Sequence, residues 1–420
     1  MNRGIVRIKP VLIGVPHYRE IYGSVCSPDV EGTPPVTAPE REELQQRARQ
    51  LANSFSQHTG ADFLQIDEPL LVKEHADLRR LSGDVTYDTD ALLVETVGDA
   101  PLIFRTLRRY GLPLIHRGAA EAYLRALRVA KFLRESRFIY VGEIPSFSAP
   151  NGPWDFVALE QRLGVRVCHV ETNKFFRWFD RLGSEQVEAQ LDEWRHDFEQ
   201  VLEPTQEDLL QATRVYLALK QLAATEDANG IAVNCGSLTE ERPVVPCLAF
   251  ARLIDEGIMC ACEGDITAML SSLVMHAVSQ QAVLMGNFGQ WSGQFEAAEG
   301  EVTIEHDVIP RSMASKGFTV RDYHGRRFGV TGYAPIQADQ PMTLLNIDAE
   351  LRRMSVLQGT VKGSEDGGHC RVIVHMSVDG DVHRVPEVMV GSQHVSMAFG
   401  HWLDALEEAA KLLGMGLQHL

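Results

Sequence analysis

Glu263 occupies a position where a carboxylate could do chemistry. It follows an apolar run typical of a buried strand, residues 258–262, and comes just before a predicted helix over residues 266–280. In parallel sheets, ligands bind outside the carboxyl ends of the strands, and the N-terminus of the following helix attracts anions. Asp265 is placed to cap that helix. Glu263 is then free to act as a metal ligand or a base, although a solvated turn residue would fit the same pattern.

Three further residues could share a site with Glu263. Asn287 follows the next predicted strand, residues 282–286, which would bring it to the same sheet edge. His306 ends the strand-like sequence EVTIEH, and His394 lies in the segment GSQHVSMAFGHW. Imidazole and carboxylate are common ligands of divalent transition metals. Each residue also has an ordinary explanation, because turns favour asparagine and any one of the 15 histidines can be a surface or core residue.

Several familiar catalytic signatures are missing from the chain. It contains no GxxxxGK[ST] phosphate loop, no HExxH, no GxSxG elbow and no GxGxxG after a strand. These motifs mark phosphate-loop enzymes, zinc proteases, serine hydrolases and dinucleotide-binding enzymes. Their absence disfavours all four classes.

The elements that must position these residues alternate between strand and helix over the first two thirds of the chain. Such alternation implies right-handed crossovers and a mainly parallel sheet. The predicted strands cover residues 11–15, 91–97, 112–116, 138–143, 165–172, 231–234, 258–262 and 282–286. The predicted helices cover residues 40–58, 99–110, 119–134, 155–163, 246–255 and 266–280, with two more in 184–227 that break near Pro204.

The pattern of the sequence changes from alternating strands and helices to short β segments after about residue 287. Short segments with β propensity follow one another, separated by glycine-bearing turns: EVTIEH, FTVRDYHGRRFGVTGYA, MTLLNI, MSVLQGTVKG and CRVIVHMSV. This pattern predicts an antiparallel barrel or sandwich. The chain is predicted to end in one helix, residues 402–413. Taken alone, these patterns predict an α/β protein with a β-rich final part and no definite activity.

Composition limits the class of partner. The 420 residues carry a formal net charge of −17, with 57 acidic against 40 basic residues. That charge would repel nucleic acid and anionic membrane surfaces, so neither is expected as a partner. The start of the chain lacks the apolar run of a signal peptide, and no segment approaches the ~20 apolar residues of a membrane span. We therefore expect a soluble, cytoplasmic protein.

The seven cysteines do not predict a disulfide framework. Their number is odd, and the chain is long enough to have a core of its own. Cys260 and Cys262 have one residue between them, which is not the spacing of a zinc knuckle or a redox motif. On a strand both would point to the same face. We expect them to be buried as small apolar groups.

Four segments, in order, resemble the L-fucose and L-arabinose isomerase family. The first is PCLAFARLIDEGIMCACEGDITAMLSSLVMHAVSQQAVLMGN, which contains Glu263. The others are IEHDVIPRSMA, MTLLNI and GSQHVSMAFGHWLDALEEAAKLLGM. Together they cover roughly the last 190 residues, whereas the first 230 are similar only in the order of elements. The chain is identified as a divergent, shorter relative of that family.

The resemblance implies a fold and a division into domains. It implies two doubly wound parallel-sheet α/β domains followed by an antiparallel β-barrel domain. In this sequence the N-terminal α/β domain would cover residues 1–136. The central α/β domain, with the Glu263 strand end, would cover 137–286, and the barrel with its terminal helix 287–420.

The resemblance also implies a site. Glu263 matches the first of two carboxylates that move a proton between C1 and C2 of an open-chain sugar through an enediol. His306 and His394 match metal ligands, so the implied metal set is Glu263, His306 and His394. Gln393 stands where many members have a second histidine. The implied cofactor is a divalent ion, most often Mn²⁺, and the donor set also suits Co²⁺ or Fe²⁺.

Asn287 is the main departure from the family, because it replaces the second carboxylate. Asparagine cannot accept a proton at neutral pH. Glu296, Glu299, Glu305 and Asp307 are candidate substitutes. Three functions remain open: an aldose–ketose isomerase, a metal-dependent lyase or transferase that needs one base, and a silent sugar-binding subunit. A non-haem iron oxygenase shares the ligand types only. The partner is expected to be a sugar or sugar acid, and the assembly a homo-oligomer, either a trimer or a hexamer.

Overall fold

The computed structural model describes most of the chain. The described residues are 3–14, 41–59, 62–73, 75–97, 107–145, 152–288, 300–306, 309–367, 371–389 and 391–420. They divide into two compact units, Met1–Lys131 and Phe132–Leu420. The chain passes from one unit to the other within a single helix.

The first unit is built on a parallel sheet with strand order β2-β1-β4-β5, and β3 also pairs with β1. Strand β1 is almost entirely buried, as expected for a parallel strand covered on both faces. The strands are β1 Val6–Gly14, β2 Leu64–Ile66, β3 Leu70–Val72, β4 Thr89–Val97 and β5 Leu114–Ile115. The helices are α1 Arg41–Thr59, α2 His75–Asp84 and α3 Glu121–Glu135.

The second unit begins with another parallel sheet, with strand order β10-β9-β6-β7. Its strands are β6 Arg137–Val141, β7 Arg166–Val170, β9 Gly230–Val233 and β10 Met259–Ala261. The helices of this part are α4 Phe156–Leu163, α5 Thr172–Asp180, α6 Ser184–Arg195, α7 Gln206–Thr225, α8 Cys235–Glu241, α9 Cys247–Asp255 and α10 Ile266–Ser279. The break predicted between α6 and α7 contains a short strand, β8 Phe198–Val201, which pairs with β13 further along the chain.

The last part forms a closed antiparallel barrel of six strands in the order β15-β18-β11-β12-β17-β16, with β16 pairing back to β15. The strands are β11 Leu284–Phe288, β12 Glu301–His306, β15 Pro341–Ile347, β16 Arg353–Asp366, β17 Val372–Val378 and β18 His394–Phe399. Two others, β13 Phe318–Arg321 and β14 Thr331–Tyr333, form a small sheet with β8. The remaining helices are α11 Val385–Val388 and α12 Leu403–Leu413. The predicted fold class, two parallel α/β sheets followed by an antiparallel barrel, is confirmed.

Two details of the sequence prediction were wrong. The strand predicted at 282–286 is β11, which belongs to the barrel, because it pairs antiparallel with β12 and β18. A short apolar run does not reveal whether its partners are parallel or antiparallel. The chain also does not end in a helix, since a further strand, β19 Gly416–His419, pairs in parallel with β16. The predicted boundary between residues 286 and 287 falls inside β11, and the three-domain division stays a prediction.

Helix α10 connects the parallel sheet to the barrel. It packs against β9 and β10 and also against β15 and β18. Its residues are buried on nearly all sides, as expected for an apolar helix enclosed by two layers. The N-terminus of α10 therefore lies where the ends of β10 and β18 meet. In the part of the chain that the structure describes, no helix is both long and apolar enough to cross a membrane.

Candidate metal centre

Glu263 and Gly264 make the turn between β10 and α10. Both have positive φ, 55° and 61°, a region that non-glycine residues enter only when their surroundings hold them there. The Gly264 N–H donates to the carbonyl oxygen of Val233 at 2.7 Å, which ties the turn to β9. A Cβ added to Gly264 would overlap the hydroxyl oxygen of Tyr140. The turn therefore requires glycine at 264, and it leaves the Glu263 side chain 46% exposed.

Gly264→Ala is expected to lower the free energy of unfolding by about 2–4 kcal/mol. Alanine at positive φ costs about 1 kcal/mol, and forcing its Cβ against Tyr140 adds about 1–3 kcal/mol. Gly257→Ala is the matched control, because Gly257 has φ 82° and no atom within 4 Å of an added Cβ. Urea unfolding would measure both variants. Equal losses in the two would show that Tyr140 does not restrict the turn.

Asp265 is the N-cap of α10, as predicted, and it also binds the barrel. Its side chain is fully buried. One carboxylate oxygen accepts from the Ala268 N–H at 2.9 Å and from the Thr267 hydroxyl at 2.5 Å. The other accepts from the Ser392 hydroxyl at 2.8 Å and lies 2.8 Å from Nδ1 of His394. All four contacts satisfy the buried carboxylate, and they connect the end of the parallel sheet to the start of β18.

Asp265 determines which nitrogen of His394 carries the proton. An ionised carboxylate only accepts hydrogen bonds, so the Nδ1–H of His394 donates to it and Nε2 keeps its lone pair. This Nε2 is buried without a hydrogen-bond partner in the described structure. It lies 3.8 Å from a carboxylate oxygen of Glu263. A buried, unpartnered acceptor that faces a carboxylate is suited to share a cation with it, and a carboxylate behind the ring is the usual support of a metal-binding histidine.

The backbone beside His394 is fixed by a second buried polar side chain. Asn346 donates from Nδ2 to the carbonyl oxygens of Ser392 at 2.9 Å and His394 at 2.7 Å. Its Oδ1 accepts from the Ser392 N–H at 3.1 Å. A Cβ on Gly391 would overlap this oxygen. These contacts fix the backbone just before β18 begins. The imidazole of His394 is therefore held in position by the protein itself.

His306 completes a triad with Glu263 and His394. One ligand atom from each of the three residues lies within 4.8 Å of the other two. The imidazole rings of His306 and His394 are 5.8 Å apart between centroids. Donors bound to one ion about 2.1 Å away lie roughly 3–4 Å apart, so small side-chain rotations would close the set on a single ion. The structure therefore brings together the three residues that the sequence singled out as metal ligands.

Gln393 and Asn287 lie beside this triad. Nε2 of Gln393 donates to Glu263 at 3.0 Å and to Oδ1 of Asn287 at 3.2 Å. Asn287 is opposite His394 in the pairing of β11 with β18. It does reach the neighbourhood of Glu263, but from the barrel and not from the edge of the parallel sheet, as the strand pattern had suggested.

The central part of the chain matches a known family. Residues 152–281 match the family model of the L-arabinose isomerase central domain. This segment is similar to an L-arabinose isomerase central domain. Comparison of the chain with curated proteins finds no match.

The matched segment contains Glu263 and its supporting residue Asp265. The match ends before Asn287, His306, Gln393 and His394. These four residues are therefore assigned to the site by their positions in the structure and by the resemblance of the shorter motifs. The four substitute carboxylates can be located only in part, because Glu296, Glu299 and Asp307 lie outside the described residues.

Sequence reasoning missed the residues that hold the site in place. The second role of Asp265 was not predicted, and neither were Ser392 and Asn346. Tyr140, beneath the turn, was also missed, and burial is the main cause that raises the pKa of its hydroxyl. Tyr140 is therefore a neutral donor at physiological pH. Of these residues, only Asp265 could have been found from the sequence. It caps the helix two residues after Glu263, which places it close to the ligand of Glu263.

Proposed function

We propose that this chain is a divalent-metal-dependent aldose–ketose isomerase, or a close relative, that acts on an open-chain sugar or sugar acid through an enediol. The arabinose isomerase-type domain and the Glu263–His306–His394 triad support this proposal. The observation that carries it is the buried Nε2 of His394, which is without a partner in the described structure and faces Glu263. Mn²⁺ is the proposed ion, and Co²⁺ or Fe²⁺ would suit the same donors.

The residues of this chain would divide the work of proton transfer and positioning. A bound divalent ion would polarise the sugar carbonyl and acidify the neighbouring C–H. Glu263, partly exposed at the rim, is placed to take that proton and return it to the adjacent carbon. Gln393 holds the Glu263 carboxylate by its amide N–H and would limit its rotation. Asn287 can hydrogen-bond a sugar oxygen but cannot move a proton.

Glu305 is the candidate for the missing second carboxylate. It pairs with Asn287 across β11 and β12, while His394 pairs with Asn287 on the other side. Side chains of directly opposed residues lie on the same face of a sheet, with Cβ atoms about 5 Å apart. Glu305, Asn287 and His394 therefore form one row on the same face of the barrel sheet. Glu305 is one strand away from Asn287, so its carboxylate could act as the second acid or base on a substrate that extends past Asn287.

A lyase or transferase that works through an enediolate is the second candidate function. Asn287 favours it, because bond cleavage next to a stabilised enediolate needs one base, whereas the two-carboxylate isomerase mechanism that the resemblance implies uses a second acid–base group. The two reactions differ in the mass of the product. Isomerisation keeps the mass of the substrate, whereas cleavage divides it.

Incubation of the full chain with Mn²⁺ and a panel of aldoses, ketoses and sugar acids in D₂O is expected to give products of unchanged skeleton mass with deuterium at the carbon next to the carbonyl. Asn287→Asp is expected to raise turnover by about 10-fold or more, and Glu305→Gln to lower it by about 100-fold, since a positioned acid or base contributes about 10²–10⁴-fold. Asn287→Gln is the control that keeps an amide. Mass spectrometry would measure both the deuterium and the products.

Other outcomes would point elsewhere. Products of smaller mass would favour the lyase. Binding of sugars in the presence of Mn²⁺ without deuterium uptake, in the wild type and in Asn287→Asp alike, would favour a silent sugar-binding subunit. A wild-type rate that Glu305→Gln leaves unchanged would contradict the role given to Glu305 without affecting that of Glu263.

A further inference from the structure

Two thiols meet directly beneath the Glu263 turn. Cys262 immediately follows β10 and is buried, and Cys235 is the first residue of α8 and is partly exposed. Their Sγ atoms are 2.7 Å apart, and both cysteines are free. Cys260 and Cys262 are both buried, as predicted. Cys262 also lies against a cysteine that is distant in the sequence.

The backbone around this pair is held in place on both sides. Strands β9 and β10 pair in parallel up to Ala232 and Ala261, which brings the ends of the two strands side by side. Gly264 N–H donates to Val233 at 2.7 Å, and Asn234 N–H donates to Val141 at 2.8 Å. A disulfide bond is about 2.05 Å long. The two sulfurs therefore need to approach by less than about 1 Å, a movement that side-chain rotation supplies.

We propose that Cys235 and Cys262 are a reversible oxidation site, which a hydroperoxide converts to an intramolecular disulfide at the base of the Glu263 turn. The sulfur of Cys235, the more exposed residue of the pair, attacks the O–O bond, forms a sulfenic acid and releases water or an alcohol. The Cys262 sulfur then attacks the sulfenic sulfur, so that the S–S bond forms and a second molecule leaves as water. The two thiols lose two protons and two electrons in total. A small dithiol reverses the step by thiol–disulfide exchange.

Oxidation of this pair acts on the proposed site through Glu263. Cys262 is bonded directly to Glu263, and the Glu263 N–H donates to the Cys235 sulfur at 3.5 Å. Drawing the two sulfurs together would displace one end of a turn that Gly264 and Tyr140 hold tightly. The oxidised form is therefore expected to bind Mn²⁺ about 10-fold more weakly. This consequence rests on the proposed metal function, whereas the thiol chemistry does not.

The test uses the full chain treated with a small excess of hydrogen peroxide, followed by alkylation and proteolysis without reductant. The expected result is a cross-linked peptide that joins Cys235 to Cys262, the loss of two titratable thiols, and recovery of both thiols with dithiothreitol. Cys235→Ser and Cys262→Ser should each abolish the cross-link. Cys168→Ser is the matched control, because Cys168 is another partly exposed free cysteine, and it should leave the cross-link unchanged.

Two results would overturn the proposal at different points. Oxidation of Cys235 to sulfinic acid while Cys262 still reacts with the alkylating agent would overturn the disulfide itself. A complete cross-link with unchanged Mn²⁺ affinity would overturn its coupling to Glu263. Because the cross-link is detected without any catalytic assay, the thiol result stands or falls separately from the isomerase proposal.

Discussion

His394→Ala is expected to weaken Mn²⁺ binding by about 100-fold or more. The change would remove a proposed ligand, which costs more than the 10–100-fold typical of losing a group that only supports a ligand. Glu263→Gln is expected to give a similar loss, because it removes the charge of the triad's carboxylate. Metal analysis of the purified proteins, followed by Mn²⁺ titration of the metal-free forms, would measure both effects.

His401→Ala provides the control for a general effect of histidine removal. His401 is exposed and follows β18, the strand that begins with His394. Its replacement should leave Mn²⁺ affinity within about twofold of the wild type. If the wild-type protein takes up no Mn²⁺, the proposed enzyme mechanism is wrong and a silent sugar-binding subunit becomes the favoured interpretation. Equal binding by the wild type and His394→Ala would place the ion elsewhere.

Asp265→Asn is expected to weaken Mn²⁺ binding by about 10–100-fold while the chain stays folded. The amide can put an N–H where the carboxylate accepts from His394, and Nδ1 must then become the acceptor. The proton moves to Nε2, the atom that faces Glu263, and the lone pair that would bind the ion is lost. Mn²⁺ titration measures the affinity, and ¹⁵N NMR of the metal-free protein identifies the tautomer.

Ser392→Ala separates this effect from the loss of a hydrogen bond. The Ser392 hydroxyl donates to the same carboxylate oxygen as His394 does. Its removal leaves the carboxylate, and hence the tautomer, unchanged. The expected loss of affinity is at most several-fold. If both variants bind Mn²⁺ equally well, or if the tautomer in Asp265→Asn is that of the wild type, Asp265 does not control the proton on His394.

Several elements of the α/β part were predictable because their signals are local, whereas β2, β3, α2, α5 and α8 were not predicted. Burial on both faces gives a parallel strand a continuous apolar run, and β1 and β9 were recognised in this way. The helix predicted over residues 99–110 lies mostly outside the described residues, but its last turn is present as the 3₁₀ helix Arg108–Tyr110 and ends at Gly111 with φ 69°. Strand β8 was not predicted, because its four residues lie between two helices and are stabilised by pairing with β13.

The residues of the site were predictable to different degrees. Glu263 and Asp265 follow from the strand-end rule and from capping, both of which depend on sequence neighbours. His306 and His394 could not be separated by spacing from the other histidines, and only resemblance to a family singled them out. Asn287 was correctly placed near Glu263, although the reasoning that placed it assumed the wrong sheet.

The sequence by itself determined many of the strands and helices, the approximate point at which the α/β pattern gives way to antiparallel strands, and that Glu263 ends a strand. Only the tertiary structure decided how these parts converge. It paired β11 with β18, set Asp265 against His394, and brought Cys235 to Cys262. Local periodicity reports burial but not the identity of a partner, because strand pairing and buried polar contacts join residues far apart in the chain. The protonation of His394 and the environment of Glu263 are therefore properties of the folded protein alone.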